Sequence, residues 1–318
     1  MRRPFCVSFQ KLANNGSRSF RIEWIIFVAL YNFCPLELKS LPRRRLNESH
    51  ALVTGASSGI GREIALQLAA AGVHVLAVAR RQERLEDLVA EFRKGLELTD
   101  GRKTGHKLSH KSGSIVSSVG DITIAADRQR WADWCQSNWG GLDILVNNAG
   151  SGAIGRFDTS SPERVRKLME VDFFGPVELT RACLPLLKQR STISRPAIVM
   201  IGSVLAHRAV PLKSEYCAAK FALRGWAESL RCELAGQRID VLQIDPSTTR
   251  SEFLDSLIDT PAGTTSESIG SMSPQRVATL IIRAIENSKR RLVLSVGGRL
   301  LVSASRWFPG IVDRILSK

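Results

Sequence analysis

Short apolar runs alternate along this chain with segments of helical spacing. Ala51-Leu-Val-Thr54, Val73–Val78, Ile115–Val119, Leu142–Asn147 and Ala197–Ile201 are nearly continuous in apolar residues. Runs of this length without alternation predict strands buried on both faces, as in a parallel sheet. Between them, Glu63–Ala71 sets Ile64, Leu68 and Ala71 at helical intervals, and Gln82–Arg93 predicts a second helix. A further helix carries Tyr216, Lys220, Phe221, Leu223 and Trp226. A sixth strand ends before Pro246. Ser273-Pro274 supplies an N-cap and first helical residue for a helix running to about Asn287, and Arg291–Ser295 predicts a seventh strand. Strand–helix alternation of this kind predicts an α/β fold, a doubly wound, mainly parallel sheet with helices on both faces.

The irregular segments add less. Lys94–Ser114 is polar and long for an α/β connection, and reads as a solvated surface insertion. His106 and His110 lie in it four residues apart, but no Cys or acid cluster nearby completes a ligand set, so no metal site is expected. Trp131, Trp134 and Trp139 read as packing residues. Ser251–Met272, rich in Ser, Thr and Gly, carries Phe253, Leu254 and Leu257 and reads either as a mobile cover over a site or as an exposed loop.

Two strings carry the chemistry. Thr54–Gly61 reads T-G-A-S-S-G-I-G between a strand and a helix. Gly55 permits the tight turn, Gly59 lets backbone approach a pyrophosphate, and Gly61 lets the helix pack close to the strand. Ser57, Ser58 and Ile60 complete the turn, and the helix N-terminus offers free N–H groups to an anion. The second strand ends at Ala79, where an acid would bind a ribose 2′-hydroxyl; Arg80 and Arg81 follow instead. Guanidinium suits a 2′-phosphate, so NADP(H) is favoured over NAD(H), with Arg80 the stronger candidate. The competing reading has these arginines capping a helix or pairing with Glu83 and Glu86. The second string, Tyr216-Cys-Ala-Ala-Lys220, puts a phenol and an ammonium on one helical face. The cation is expected to bring the phenol down toward neutral pH, where it can donate and accept a proton. Ser203 follows the fifth strand at the sheet edge where such folds bind ligands, and can donate to a substrate oxygen.

Charge divides the chain of 318 residues into parts. Its net charge is +15, but residues 1–45 hold nine Lys or Arg against two acids, and residues 288–318 hold seven against one. The near-neutral middle argues against a nucleic-acid partner. Basic, apolar ends suit an anionic membrane surface. The six cysteines are scattered without C-x-x-C spacing, which argues against a disulfide framework and fits a reducing, cytoplasmic setting. In residues 1–45 the apolar stretch around Ile22–Tyr31 is too short to span a bilayer. It reads as an interfacial anchor, a poor signal sequence, or translated leader. Residues 298–318 place Leu300, Leu301, Trp307, Phe308, Ile311, Ile315 and Leu316 at near-helical spacing, with Arg299, Arg306 and Arg314 towards the other side and Pro309 interrupting. This tail reads as a lipid-touching helix or as a flap over its own or a neighbouring subunit.

Together, T-G-x-x-x-G-I-G, Asp121, Asn147-Asn148-Ala149-Gly150, Ser203, Y-x-x-x-K and the proline after strand six resemble the classical short-chain dehydrogenase/reductase family over about residues 48–300. The resemblance implies a single Rossmann-type domain, here residues 46–297, with a seven-stranded sheet. It implies hydride transfer between a carbonyl or alcohol and a nicotinamide cofactor, with Ser203, Tyr216 and Lys220 catalytic. It further implies cofactor contacts at Asp121, Ile122, Asn147, Ala149, Gly150, Pro246, Thr249 and Ser251, besides Tyr216 and Lys220. It implies a homodimer or homotetramer. Two departures stand out. The family's active-site asparagine is Asp172 here, in Asp172-Phe-Phe-Gly175, a candidate fourth catalytic residue that is expected either to keep the asparagine's role or to attract Lys220. The usual glycine after Pro246 is Ser247. The expected substrate is a small carbonyl or alcohol, and a lipophilic one suits the apolar ends. The rival reading is a non-catalytic nucleotide-binding regulator on the same fold.

Overall fold

The computed structural model describes residues 43–100, 113–247, 249, 257–260 and 271–317, with the side chains of 98–100 excepted. The sequence readings for residues 1–42, for His106 and His110, and for Ser251, Phe253 and Leu254 lie outside the described residues.

Seven strands form one sheet: β1 (His50–Thr54), β2 (His74–Ala79), β3 (Ser114–Val119), β4 (Ile144–Asn147), β5 (Ala197–Ile201), β6 (Asp240–Asp245) and β7 (Arg291–Val293). Every pair is parallel, and the order is β3-β2-β1-β4-β5-β6-β7. The order reverses between β1 and β4, which opens a crevice at the C-terminal ends of these strands.

Among the described residues nine α-helices cover the sheet and extend beyond it: α1 (Gly59–Ala70), α2 (Gln82–Asp100), α3 (Ala125–Trp139), α4 (Pro162–Met169), α5 (Gly175–Arg190), α6 (Ser214–Leu234), α7 (Pro274–Glu286), α8 (Val296–Trp307) and α9 (Pro309–Leu316). Strand pleating sorts the core into two layers. Ala51 and Val53 face α1, α2 and α7 through Ile64, Leu68, Leu88 and Ile281. Leu52 faces the other way, with Trp131, Leu179, Leu186 and Leu223 from α3, α5 and α6. Burying each such side chain stabilises the fold by about 1.5–3 kcal/mol.

Three local features bear on the site and the tail. Helix α2 continues past Arg93 to Asp100, so the first part of the expected insertion is helical. The tail forms two helices that divide at Pro309, as its position suggests, with Pro309 in the first turn of the second helix, where its missing N–H costs nothing. Between α4 and α5 the chain makes a π turn, Glu170–Phe174. Pro176 cannot close the α-helical bond back to residue 172, and the Gly175 N–H bonds to Glu170 instead. Such single π turns are frequent at functional sites, and this one carries Asp172.

Candidate active site

The glycine turn after β1 is a backbone cradle. A Cβ on Gly61 would lie 2.4 Å from the carbonyl oxygen of Gly55, so any side chain there would push the helix off the turn. Gly55 has φ +66, in the left-handed region that favours glycine. Thr54 ties this turn to β4. Its hydroxyl donates to the Val146 carbonyl and accepts from the N–H groups of Asn148 and Ala149. The Asn148 amide donates to the Thr54 carbonyl at 2.9 Å. The groove these residues leave, at a helix N-terminus without side-chain capping at Ser58, fits a pyrophosphate.

Asn148 was not among the expected contacts, whereas Asn147 was. Asn147 is buried, and its amide donates to Thr180 Oγ1 at 3.0 Å and lies against Met200 Sδ. Successive residues at a strand end point opposite ways, and the sequence string does not say which asparagine meets the turn. Ile122 also turns its side chain inward, into the core near Gly175. Asp121 closes the end of β3, where its Oδ1 accepts from Thr123. Arg80 is 66% exposed and sits 3.7 Å from Asp121. Arg81, the weaker candidate from sequence, reaches back to the turn: its Nη2 lies 3.1 Å from Ser57 Oγ and 2.6 Å from Ser58 Oγ.

On the other side of the crevice, β5 delivers Ser203, whose hydroxyl caps the short turn Val204–Ala206 by accepting from Leu205 N–H. Tyr216 hydrogen-bonds with Ser203. Lys220 lies one helical turn further along α6, its Nζ 5.6 Å from the Tyr216 ring centre. The same Nζ is 2.8 Å from Asp172 Oδ1. Both partners are buried. The Ser151 N–H also points to Asp172 Oδ2, at 3.4 Å. Gly150 is what leaves room for this pair: a Cβ there would stand 2.7 Å from Asp172 Oδ1.

The electrostatics depart from expectation. Burial raises the Tyr216 phenol above its ordinary value. Lys220 and the Ser203 hydrogen bond pull it down, Asp172 pushes it up, and the net direction is upward. Burial works against the Lys220 ammonium, but the Asp172 carboxylate and the phenol outweigh it and hold the amine above its usual value. Asp172 is raised by burial, against the pull of Lys220.

Two supports carry no sequence signal of their own. Arg164 on α4 is buried and grips Glu215, the neighbour of Tyr216, with Nε at 3.0 Å and Nη2 at 2.6 Å from Oε1. Its Nη1 donates to the Asp259 carbonyl at 3.2 Å, so one guanidinium ties α6 to the base of the segment after β6. Burial raises Glu215, but bonds from Ser214 and Arg164 hold it down to about 2. Behind Ser203, His207 Nε2 lies 2.7 Å from Asp245 Oδ2, and Arg291 donates to the other ring nitrogen. Pro246 accepts from Val204 N–H, and Thr249 pairs with Met272 at the edge of the crevice. Ser251 lies outside the described residues.

The short chain dehydrogenase family model matches residues 49–262. Human dehydrogenase/reductase SDR family member 7 is 32% identical over 270 residues, covering 82% of this chain and 74% of the relative. An uncharacterized oxidoreductase of Bacillus subtilis, YxnA, is 30% identical over 283 residues, covering 87% and 74%. Among solved structures, a short-chain dehydrogenase from Streptomyces avermitilis is 29% identical with a TM-score of 0.65, covering 85% of this chain and 94% of that one. A short chain dehydrogenase/reductase from Burkholderia phymatum, in complex with NAD, has the same fold with a TM-score of 0.70 at 21% identity, covering 82% and 94%. With its parallel seven-stranded sheet, glycine cradle and family match over most of the folded chain, the protein belongs to the short-chain dehydrogenase/reductase family, as an oxidoreductase acting on CH–OH and C=O groups with a nicotinamide dinucleotide.

Proposed function

We propose that the protein is an NADP(H)-dependent oxidoreductase that interconverts a carbonyl and an alcohol through Ser203, Tyr216 and Lys220. The reading rests on one juxtaposition: Tyr216 hydrogen-bonded to Ser203 above a buried Lys220, on the wall of a crevice whose other wall is the glycine turn. A bound dinucleotide supplies the hydride acceptor or donor at its nicotinamide C4. Ser203 orients the substrate oxygen and stabilises charge that develops there. Tyr216 gives that oxygen its proton in reduction and takes it back in oxidation. Lys220 makes the phenolate cheaper than it would be in the same buried place without a cation, and is positioned to bind the nicotinamide ribose. The expectation of NADP(H) is supported by Arg81 on the two turn serines and by the absence of an acid at Ala79. Arg80 is the outer of the two cations.

The substrate is a small carbonyl or alcohol, of lipophilic character. That character is supported by the exposed apolar residues Val296, Leu300, Trp307, Phe308, Ile311 and Ile315 on α8 and α9, interspersed with Arg299, Arg306 and Arg314. We read this face as a peripheral contact with a membrane surface of a cytoplasmic homo-oligomer. None of the described helices is long and apolar enough to cross a membrane.

The deciding experiment is turnover of a panel of ketones, aldehydes and alcohols with NADPH, NADH and their oxidised forms, for the wild type and Tyr216→Phe. The variant is expected to lose about 10²–10⁴-fold in rate while keeping cofactor affinity. A wild type that binds NADPH but turns over no member of the panel supports a nucleotide-binding regulator instead.

A further inference from the structure

We infer that Asp172 neutralises Lys220 and so holds Tyr216 in its proton-donating form at neutral pH, the form that carbonyl reduction uses. This deepens the proposed reaction and rests on it. The geometry carries it: a carboxylate stands where the family resemblance expects an asparagine, 2.8 Å from the lysine ammonium, on the π turn that precedes Pro176. Both ions are buried, so water screens neither of them.

The charge count then differs from that of a site with a neutral amide at 172. With the amide, ionising the phenol turns a net positive pair into a neutral one. With Asp172, it leaves a net negative trio in a place poor in water, which costs more. The other groups around the phenol do not reverse this. Cys217 on α6 and Asp245 on β6 add only negative or neutral character, and the Asp245 carboxylate is engaged by His207 and Gln243. Ser203, from the loop after β5, is neutral. Glu215 is gripped by Arg164 on the neighbouring helix. Lys220 is the cation beside the phenol, and Asp172 is its direct partner.

In the reductive direction a bound dihydronicotinamide would supply the hydride, with its electron pair, to the carbonyl carbon. The carbonyl π pair takes the proton of the Tyr216 hydroxyl, and solvent later restores that proton. The step needs a protonated phenol at the start. Oxidation needs the phenolate, so Asp172 moves the oxidative limb to higher pH without touching the overall equilibrium.

The chain has two tyrosines, Tyr31 and Tyr216. In a Tyr31→Phe background the near-ultraviolet phenolate absorbance therefore reports Tyr216 alone, with no substrate present. Adding Asp172→Asn is expected to lower the midpoint of that titration by about one pH unit or more, raising the phenolate fraction about tenfold at neutral pH. A Tyr31→Phe/Tyr216→Phe protein supplies the blank. Asp172→Ser gives the same comparison if the Asn variant loses its near-ultraviolet circular dichroism. Coincident midpoints, or a higher one without the carboxylate, overturn the inference. Because the readout is the phenol itself, it stands or falls apart from whether the carbonyl panel turns over.

Discussion

The glycine turn after β1 and the wall formed by the π turn and α6 border the same crevice but are held by different forces. The turn is backbone and small side chains: Gly55, Gly61, the Thr54 hydroxyl and the Asn148 amide, joined by uncharged hydrogen bonds. The wall is built of buried ions: Lys220 with Asp172, and Arg164 with Glu215. Hydrogen bonds between neutral groups each contribute about 1 kcal/mol and tolerate modest change. A buried ion pair leaves an uncompensated charge when one partner goes. One side of the crevice is therefore specified by shape, and the other by charge balance.

The comparison breaks most sharply at Arg164. Arg164→Ala strands the Glu215 carboxylate and is expected to cost about 3–5 kcal/mol in chemical denaturation; a loss below about 1 kcal/mol would show the wall to be as tolerant as the turn. The same pair gives a pH signature. Glu215 titrates well below its ordinary value, so its contribution is complete above the unfolded value of about 4.5 and is lost as pH falls through about 2. Glu215→Gln should flatten stability over that acid window. Gly61→Val tests shape on the other side. It should weaken NADPH binding, followed by cofactor fluorescence, by at least about 100-fold, because the added carbons meet the Gly55 carbonyl. Unchanged binding would mean that the turn does not cradle the dinucleotide. Arg81→Ala is expected to weaken NADPH by about 10–100-fold and NADH little, with Arg80→Ala smaller; equal losses for both cofactors would remove the phosphate assignment. The smallest effect is expected at the tail. Deleting Gly298–Lys318 should lower flotation with anionic liposomes while leaving the cradle intact, and undiminished flotation would leave α8 and α9 with packing alone.

The two sides also differ in how far the sequence discloses them. The turn is local: a strand, three glycines and a helix within about a dozen residues of one another, each acting through its own backbone. Even there the sequence does not say that the Asn148 amide bonds the Thr54 carbonyl or that Arg81 bonds the turn serines, since neighbours in the chain point in different directions and only the folded sheet fixes which meets the turn. Helix α2 outruns its expected end at Arg93: Lys94-Gly95 opens a polar stretch, yet Leu96 continues the stripe of Leu85, Leu88 and Phe92 onto the core. On the other wall, that Ser203, Tyr216 and Lys220 come together is legible from their spacing. The upward direction of the Tyr216 phenol was not. It depends on burial and on Asp172, 44 positions away in the chain.

By itself the sequence determined the α/β alternation, the seven strands, the glycine turn and the phenol–amine pair, because strand burial, turn geometry and helical spacing are properties of short segments. Only the tertiary structure decided that Asp172 meets Lys220, that Arg164 reaches Glu215 and the Asp259 carbonyl, and that Arg81 bends back to the turn. Those contacts bring distant segments together away from water. Their effect scales with separation and burial, quantities that appear only when the chain has folded.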